Sequence, residues 1–268
     1  MVVLSKDAGV LGIPPGEKET GGRRIDFRHK EFDVAVEAKG ARVAWSRAAL
    51  CPCVSVNAQT NQADPNCPLC KGTSWLRFRP AGAVTDELKT GTLDALQRVI
   101  VDDAAAVIRA LMTAFATQYV PFDRATPREQ GTVNVTTRAP NKLGYFDRLV
   151  NLDSVIAYTE LADAAGPAVT TKYWVRDVNL LRSINQVYQF GYDFSIVAGV
   201  ITWVAGKAPA KGTRLAVHYL THPVYRVMEH PHSLRYTVIK RKVKKPVTPR
   251  GDETELPVQG VAKLEFLL

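Results

Sequence analysis

The sequence is poor in cysteine and methionine, with four and three among 268 residues, and four cysteines are too few for a disulfide-built scaffold of this length. It has no run near the roughly 18 uninterrupted apolar residues of a membrane-crossing helix. Its start, Met1 to Val10, carries Lys6 and Asp7 and lacks the apolar centre of a secretion signal. It also lacks a Gly-x-Ser-x-Gly nucleophile turn, a phosphate-binding loop and a Gly-x-Gly-x-x-Gly fingerprint. These absences leave a soluble protein made in a cytoplasm, with no pattern that argues for an enzyme. A 46% hydrophobic and 23% charged composition excludes a wholly disordered chain, and the length fits one large or two modest domains.

The net charge is +9, from 35 Lys and Arg against 26 Asp and Glu, and its densest cluster is Lys240, Arg241, Lys242, Lys244 and Lys245 beside Pro246 and Pro249. That pattern describes an exposed basic connection. Residues 1–31 form an extended arm by composition, with Gly9, Gly12, Gly16, Gly21, Gly22, Pro14 and Pro15 and no sustained apolar period. Phe32, Val34 and Val36, then Val43 and Trp45, alternate around Gly40 as a strand or short hairpin would. From Leu93 to Met112 the apolar spacing of three and four predicts a helix, although Val99-Ile100-Val101 also suits a strand. Thr132 to Thr136 alternates as a strand. Residues 148–240 read as an antiparallel β-domain, a sandwich or barrel. Within it Phe194 and Ile196 run into an Ala198-Gly199 turn and back through Ile201 and Trp203, and Leu215, Val217 and Tyr219 follow on a third strand. Further strands are expected at 173–181, 224–228 and 234–239. The end, 241–268, is a second arm whose short strand, Gly260 to Phe266, could find its partner in another chain.

All four cysteines fall between positions 51 and 70, as Cys51-x-Cys53 and Cys67-x-x-Cys70. Two close thiol pairs joined by a loop are how ribbon-type metal sites are made, and a four-thiolate site leaves the ion no open position, so it would serve the fold. Zinc is the expected ion for residues 32–80; disulfides, free thiols or an iron–sulfur cluster remain open because the first pair is separated by one residue. Pro68 would set the turn of the second pair and Gly72 let the backbone fold beneath the sulfurs. Lys71, Trp75, Arg77 and Arg79 would allow a nucleic-acid-binding ribbon, or else a packed Trp75 on a solvated edge. His218, His222, His230 and His232 could be imagined in a second metal site, and Asp102, Asp103, Asp252, Glu253 and Glu255 in catalysis, but neither set has supporting ligands or geometry in the pattern.

Taken together, Arg42-Val43-Ala44-Trp45-Ser46-Arg47-Ala48, Cys51-Pro52-Cys53 and Asp64-Pro65-Asn66-Cys67-Pro68-Leu69-Cys70-Lys71-Gly72-Thr73 resemble the cysteine module of small virion structural proteins of tailed bacteriophages. Phe190-Gly191-Tyr192-Asp193-Phe194 to Ile201-Thr202-Trp203, with Pro209 to Arg214 and Val217-His218-Tyr219, is similar to hairpins that recur in phage tail, neck and appendage proteins. The resemblance covers about half of the chain. It implies a mainly β, non-enzymatic component of the virion, assembled in the host bacterial cytoplasm. The position it suggests is a neck or collar at the head-to-tail connection, as a ring or decoration subunit; a baseplate or tail position is the nearby alternative. Its partners would be other copies of itself and neighbouring portal, adaptor and tail proteins, with nucleic acid possible and no membrane. A zinc-ribbon nucleic-acid-binding accessory protein is the rival of a different class.

Overall fold

The computed structural model describes residues 29–56, 63–86, 92–101, 103–114, 131–232, 236–239, 252–255 and 257–268. The expected amino-terminal arm up to position 28 and the basic run at 240–245 lie outside the described residues.

Residues 29–50 are a helix followed by a strand, α1 (His29–Lys39) and β1 (Ala41–Leu50), where alternation over 32–45 predicts a strand or short hairpin. The apolar run before Gly40 is too short to separate the two periods. Val36 is fully buried while Val34 is two-thirds exposed, and the Gly40 N–H closes the helix on the Val36 carbonyl at 2.8 Å. Arg138 holds the helix from outside, donating to Glu37 at 2.7 Å.

After β1 come α2 (Cys53–Val56), β2 (Trp75–Phe78), α3 (Ala95–Ile100), β3 (Ala106–Ala114), β4 (Thr132–Thr137) and β5 (Arg148–Asn151). Of the helix expected over 93–112 only α3 is helical, and from Ala106 onward the chain is strand. Asp94 and Gln97 start α3 with a reciprocal cap, at 2.8 and 3.3 Å. β3 imitates helical spacing because both its faces are covered: Ile108 and Ala110 point one way into one core, Val107 the other way into a second.

The remaining strands are β6 (Ile156–Asp163), β7 (Ala168–Val169), β8 (Asp177–Arg182), β9 (Val187–Tyr188), β10 (Phe194–Val197), β11 (Val200–Trp203), β12 (Arg214–Thr221), β13 (Val224–His232), β14 (Tyr236–Ile239), β15 (Asp252–Glu255) and β16 (Val258–Leu264). A 3-10 turn, Glu265–Leu267, ends the chain. The fold is mainly β, and its centre is a closed antiparallel barrel of β1, β3, β4, β16, β13 and β5, with β5 returning to β1. Closure removes the exposed edges that an open sheet would carry. Val43, Trp45, Ile108, Val135, Leu149 and Val227 fill its interior.

Residues 156–221 form the second β-unit. Its four-stranded sheet runs β6-β12-β8-β9 and its three-stranded sheet β10-β11-β7. Phe194, Ile201, Trp203, Leu215, Val217 and Tyr219 share one buried cluster, with half-buried Ile196 packed on it, as the alternation predicts. The Ala198-Gly199 turn has positive φ at both residues, 48° and 78°, the backbone that a two-residue hairpin needs. β12 does not extend that hairpin. It pairs with β6 and β8 in the other sheet, which lets Leu215, Val217 and Tyr219 meet Ile201 and Trp203 across the interior instead of beside them. The expected strand at 224–228 belongs to the barrel as part of β13, and that at 234–239 pairs as β14 with β15.

The carboxy-terminal strand corrects another expectation. β16 lies between β4 and β13 of its own chain, with Ala262 fully buried, so residues 258–264 are a barrel stave and not an arm awaiting a neighbour. Since β16 completes the ring of staves, deleting residues 258–268 should abolish cooperative unfolding of the whole barrel. Circular dichroism melting checks this; a truncated protein that retains a wild-type melting transition contradicts the pairing.

Candidate metal centre

The long strand β1 has two roles along its length. Residues Val43 to Ser46 pair with β5 inside the barrel, while Arg47 to Leu50 run past it and pair with β2, Leu50 facing Trp75. The β1–β2 hairpin therefore projects from the barrel, and the chain between its strands carries all four cysteines. The barrel grips its base. Asp147, buried, accepts from Trp45 Nε1 at 2.8 Å, the Ala48 N–H at 3.0 Å and the Gly144 N–H at 2.7 Å. Trp75 stacks on Phe146 with ring centres 4.3 Å apart, and Arg77 donates to the Phe146 carbonyl at 2.6 Å.

Cys51 directly follows β1 and Cys53 opens α2, so the single intervening residue is a tight corner, fixed by the Cys51 N–H on the Ser74 carbonyl at 2.8 Å and the Val54 N–H on the Cys51 carbonyl at 3.1 Å. The second pair sits in a knuckle. The Lys71 N–H returns to the Cys67 carbonyl at 2.9 Å, and Thr73 holds the Cys70 carbonyl through its hydroxyl at 2.6 Å. Gly72 has φ +78°, the left-handed region that favours glycine, and a Cβ there would stand a tight 3.3 Å from the Pro65 backbone.

These corners bring the four sulfurs within 4.8 Å of one another, with Cys51 to Cys67 at 3.8 Å and Cys53 to Cys70 at 3.5 Å. Bonds of about 2.3 Å to one tetrahedral ion place sulfurs roughly 3.8 Å apart. All four are free thiols, at separations far beyond the roughly 2.05 Å of a disulfide. A multinuclear iron–sulfur cluster spreads its thiolates over several irons, whereas these converge on a single point. Four cysteines this close can hold one metal ion, and three of the four are buried. The N–H groups of Cys70 and Leu69 lower the pKa of Cys67 to about 7, while desolvation pushes the Cys53 thiol up to about 12. Metal binding must therefore expel protons from the cluster.

Among the described residues this is the one group of clustered ligands. Among the described residues the histidines form no second such group. His218 is bonded to the Thr159 hydroxyl at 2.6 Å, and His222 is buried between the Ser154 carbonyl at 2.9 Å and Arg176 at 3.1 Å, an ordinary hydrogen-bonded histidine. His230 and His232 lie along β13. Of the acidic residues, Asp252 to Glu255 form β15, and Asp102 lies outside the described residues. Trp75 and Arg77 face the barrel, leaving Lys71 and Arg79 exposed at the hairpin. Asp147 and Phe146, which brace the hairpin, carry no local sequence signal because their partners are about a hundred residues away in the chain. No helix among the described residues is long and apolar enough to cross a membrane. No protein-family model and no curated protein matches this sequence.

One ion per chain is the expected stoichiometry in reduced protein purified without chelator, by elemental analysis. Cys67→Ser should strip the ion and raise hydrogen exchange over 46–80 far more than over 156–221; equal loss in both would show that the cysteine cluster is not a local staple. His222 supplies a separate expectation. Burial, assisted by Arg176, holds its pKa below the ordinary 6.5, so the unfolded chain takes up more protons as pH falls. The stability contributed by neutral His222 is full above about pH 6.5 and declines below it. Urea midpoints measured from about pH 7.5 to 5.5 should fall more steeply for the wild type than for His222→Gln.

Proposed function

We propose that the chain is a structural, non-catalytic component of a tailed-phage virion, a neck or collar subunit at the head-to-tail connection that works as an oligomeric ring or decoration subunit. In this reading zinc is the ion held by Cys51, Cys53, Cys67 and Cys70, since a closed set of four thiolates is a structural zinc arrangement with no site left for water or substrate. The ion locks a hairpin that projects from the barrel.

The observation that carries the reading is the placement of exposed apolar side chains. Leu50, Leu69 and Phe78 are displayed around the metal-bearing hairpin, and Ile184, Val187, Phe190 and Tyr192 around the segment from the end of β8 to the start of β10. A ring of identical subunits uses head-to-tail contacts, which require two different surfaces on each copy. Exposed apolar groups of this kind are the usual mark of an assembly contact. The resemblance of the cysteine segment to phage virion proteins agrees with this, and portal, adaptor and tail proteins would be the neighbours. The nucleic-acid-binding alternative draws less support, because Trp75 and Arg77 are engaged with Phe146.

Sedimentation velocity across a concentration series, in zinc-containing buffer without DNA, tests the proposal. Concentration-dependent closed oligomers that Leu69→Asp or Phe190→Asp reduces are the expected outcome. A chain that stays monomeric at every concentration and binds DNA with a steep salt dependence overturns it in favour of the nucleic-acid reading.

A further inference from the structure

The second β-unit carries a cleft of about 440 Å³ between the β9–β10 link and the loop that follows β11, within the size range of small-ligand sites. Backbone bonds fix both walls. The link folds back on itself, with the Tyr192 and Asp193 N–H groups on the Gln189 carbonyl at 3.3 and 2.9 Å and the Gly191 N–H on the Phe194 carbonyl at 2.8 Å. The Val204 N–H on the Asp193 carbonyl at 3.0 Å ties the opposite loop to it, and the Lys207 N–H returns to the Val204 carbonyl at 3.0 Å. The cleft is therefore shaped before any ligand enters.

Its lining is mostly polar, and much of it has no partner within the protein. The side chains of Gln186 and Gln189 are exposed there, and neither amide is hydrogen-bonded to a described residue. Asp193, also in the lining, is only 5% exposed. Its Oδ2 accepts the Gln189 N–H at 2.8 Å, while Oδ1 takes no bond from a described residue and is not sealed from solvent. Across the cleft the Lys207 ammonium is held 4.1 Å from the centre of the Tyr192 ring, and Tyr192 is 63% exposed. One carboxylate and one ammonium cancel, so neither an anion nor a cation meets a complementary field. The carboxylate and the amide oxygens accept from hydroxyl groups, the amide N–H groups and Lys207 donate to them, and the tyrosine offers an apolar surface. A ligand that is uncharged, lined with hydroxyls at its edge and apolar on the face of a ring satisfies all of these groups together.

We propose that this cleft binds a neutral saccharide, with Tyr192 against the face of a sugar ring and Gln186, Gln189, Asp193 and Lys207 on its hydroxyls. The inference goes beyond the assembly reading and does not rest on it. Val187 and Tyr192 also belong to the exposed patch described above, so a bound saccharide and a contact between copies at this patch compete for the same surface.

The test is saturation-transfer difference NMR on the full chain, with maltotriose and the β1,4-linked trimer of N-acetylglucosamine as probes and glycerol as the polyol without a ring. At least one trisaccharide should bind saturably, with transfer strongest to its ring C–H protons, and glycerol should show none. Tyr192→Ala and Gln189→Ala change exposed side chains and should leave the melting temperature unchanged, yet each should weaken the trisaccharide about tenfold or more. Phe190→Asp, outside the cleft, should bind it as the wild type does whatever happens to assembly, so the two readings fail separately. Glucose and N-acetylglucosamine, titrated alongside, distinguish the source: affinity equal to the trimer's identifies a free sugar, and affinity rising with length identifies a segment of polysaccharide. The proposal is overturned if neither trisaccharide binds, if glycerol gives the same transfer, or if Tyr192→Ala and Gln189→Ala both bind as the wild type does.

Discussion

The pairing of one strand, β1, with three partners is the constraint on which the rest of the structure depends. Its first half is bonded to β3 on one side and β5 on the other, which closes the barrel. Its second half leaves the barrel and pairs with β2, which projects the cysteine hairpin. Both faces are covered where the barrel and sandwich meet: Val43 and Trp45 point inward, and Ala44 joins the cluster that includes Val217 and Tyr219. Slipping β1 by one residue would exchange these faces, placing the Trp45 indole against the sandwich and separating it from Asp147. Register at this strand therefore determines the barrel interior, the position of the second β-unit and the place where Cys51 emerges.

The metal centre follows from that geometry. The barrel holds only the base of the hairpin, through Asp147, Phe146 and the Arg77 contact, and the chain beyond has few apolar side chains to bury. The four cysteines that could hold one ion lie at the point where the hydrophobic core ends, where a bound metal would supply the missing cross-link. The barrel and the second β-unit share buried clusters, and the projecting hairpin displays Leu50, Leu69 and Phe78 to solvent.

The fate of the carboxy terminus removes one route by which copies of the chain could pair. With β16 enclosed between β4 and β13, contacts between copies would come from side chains on folded surfaces and not from an exchanged carboxy-terminal strand. The two β-units are joined within the chain by the shared cluster of Ala44, Val107, Val150 and Val224 with Leu181, Tyr188 and Trp203.

Local chemistry was readable in the chain. The Cys-x-Cys and Cys-x-x-Cys spacing, the placing of Gly72 and the Ala198-Gly199 turn act over a few residues, and so do the inward positions of Phe194, Ile201 and Trp203. Apolar periodicity misleads where burial is two-sided or the run is short, as over β3, where spacing of three and four predicts a helix, and over α1, where alternation predicts a strand. Nothing local tells that β12 crosses to the opposite sheet or that β16 slots between β4 and β13, since each choice is made among many strands of similar propensity by long-range packing. The same holds for Asp147 beneath the hairpin and for Glu265 between Arg148 and Arg226. Sequence alone determined which side chains could bind a metal and which turns could form; the tertiary structure decided which distant strands meet, because pairing energy is realised only after the chain has closed on itself.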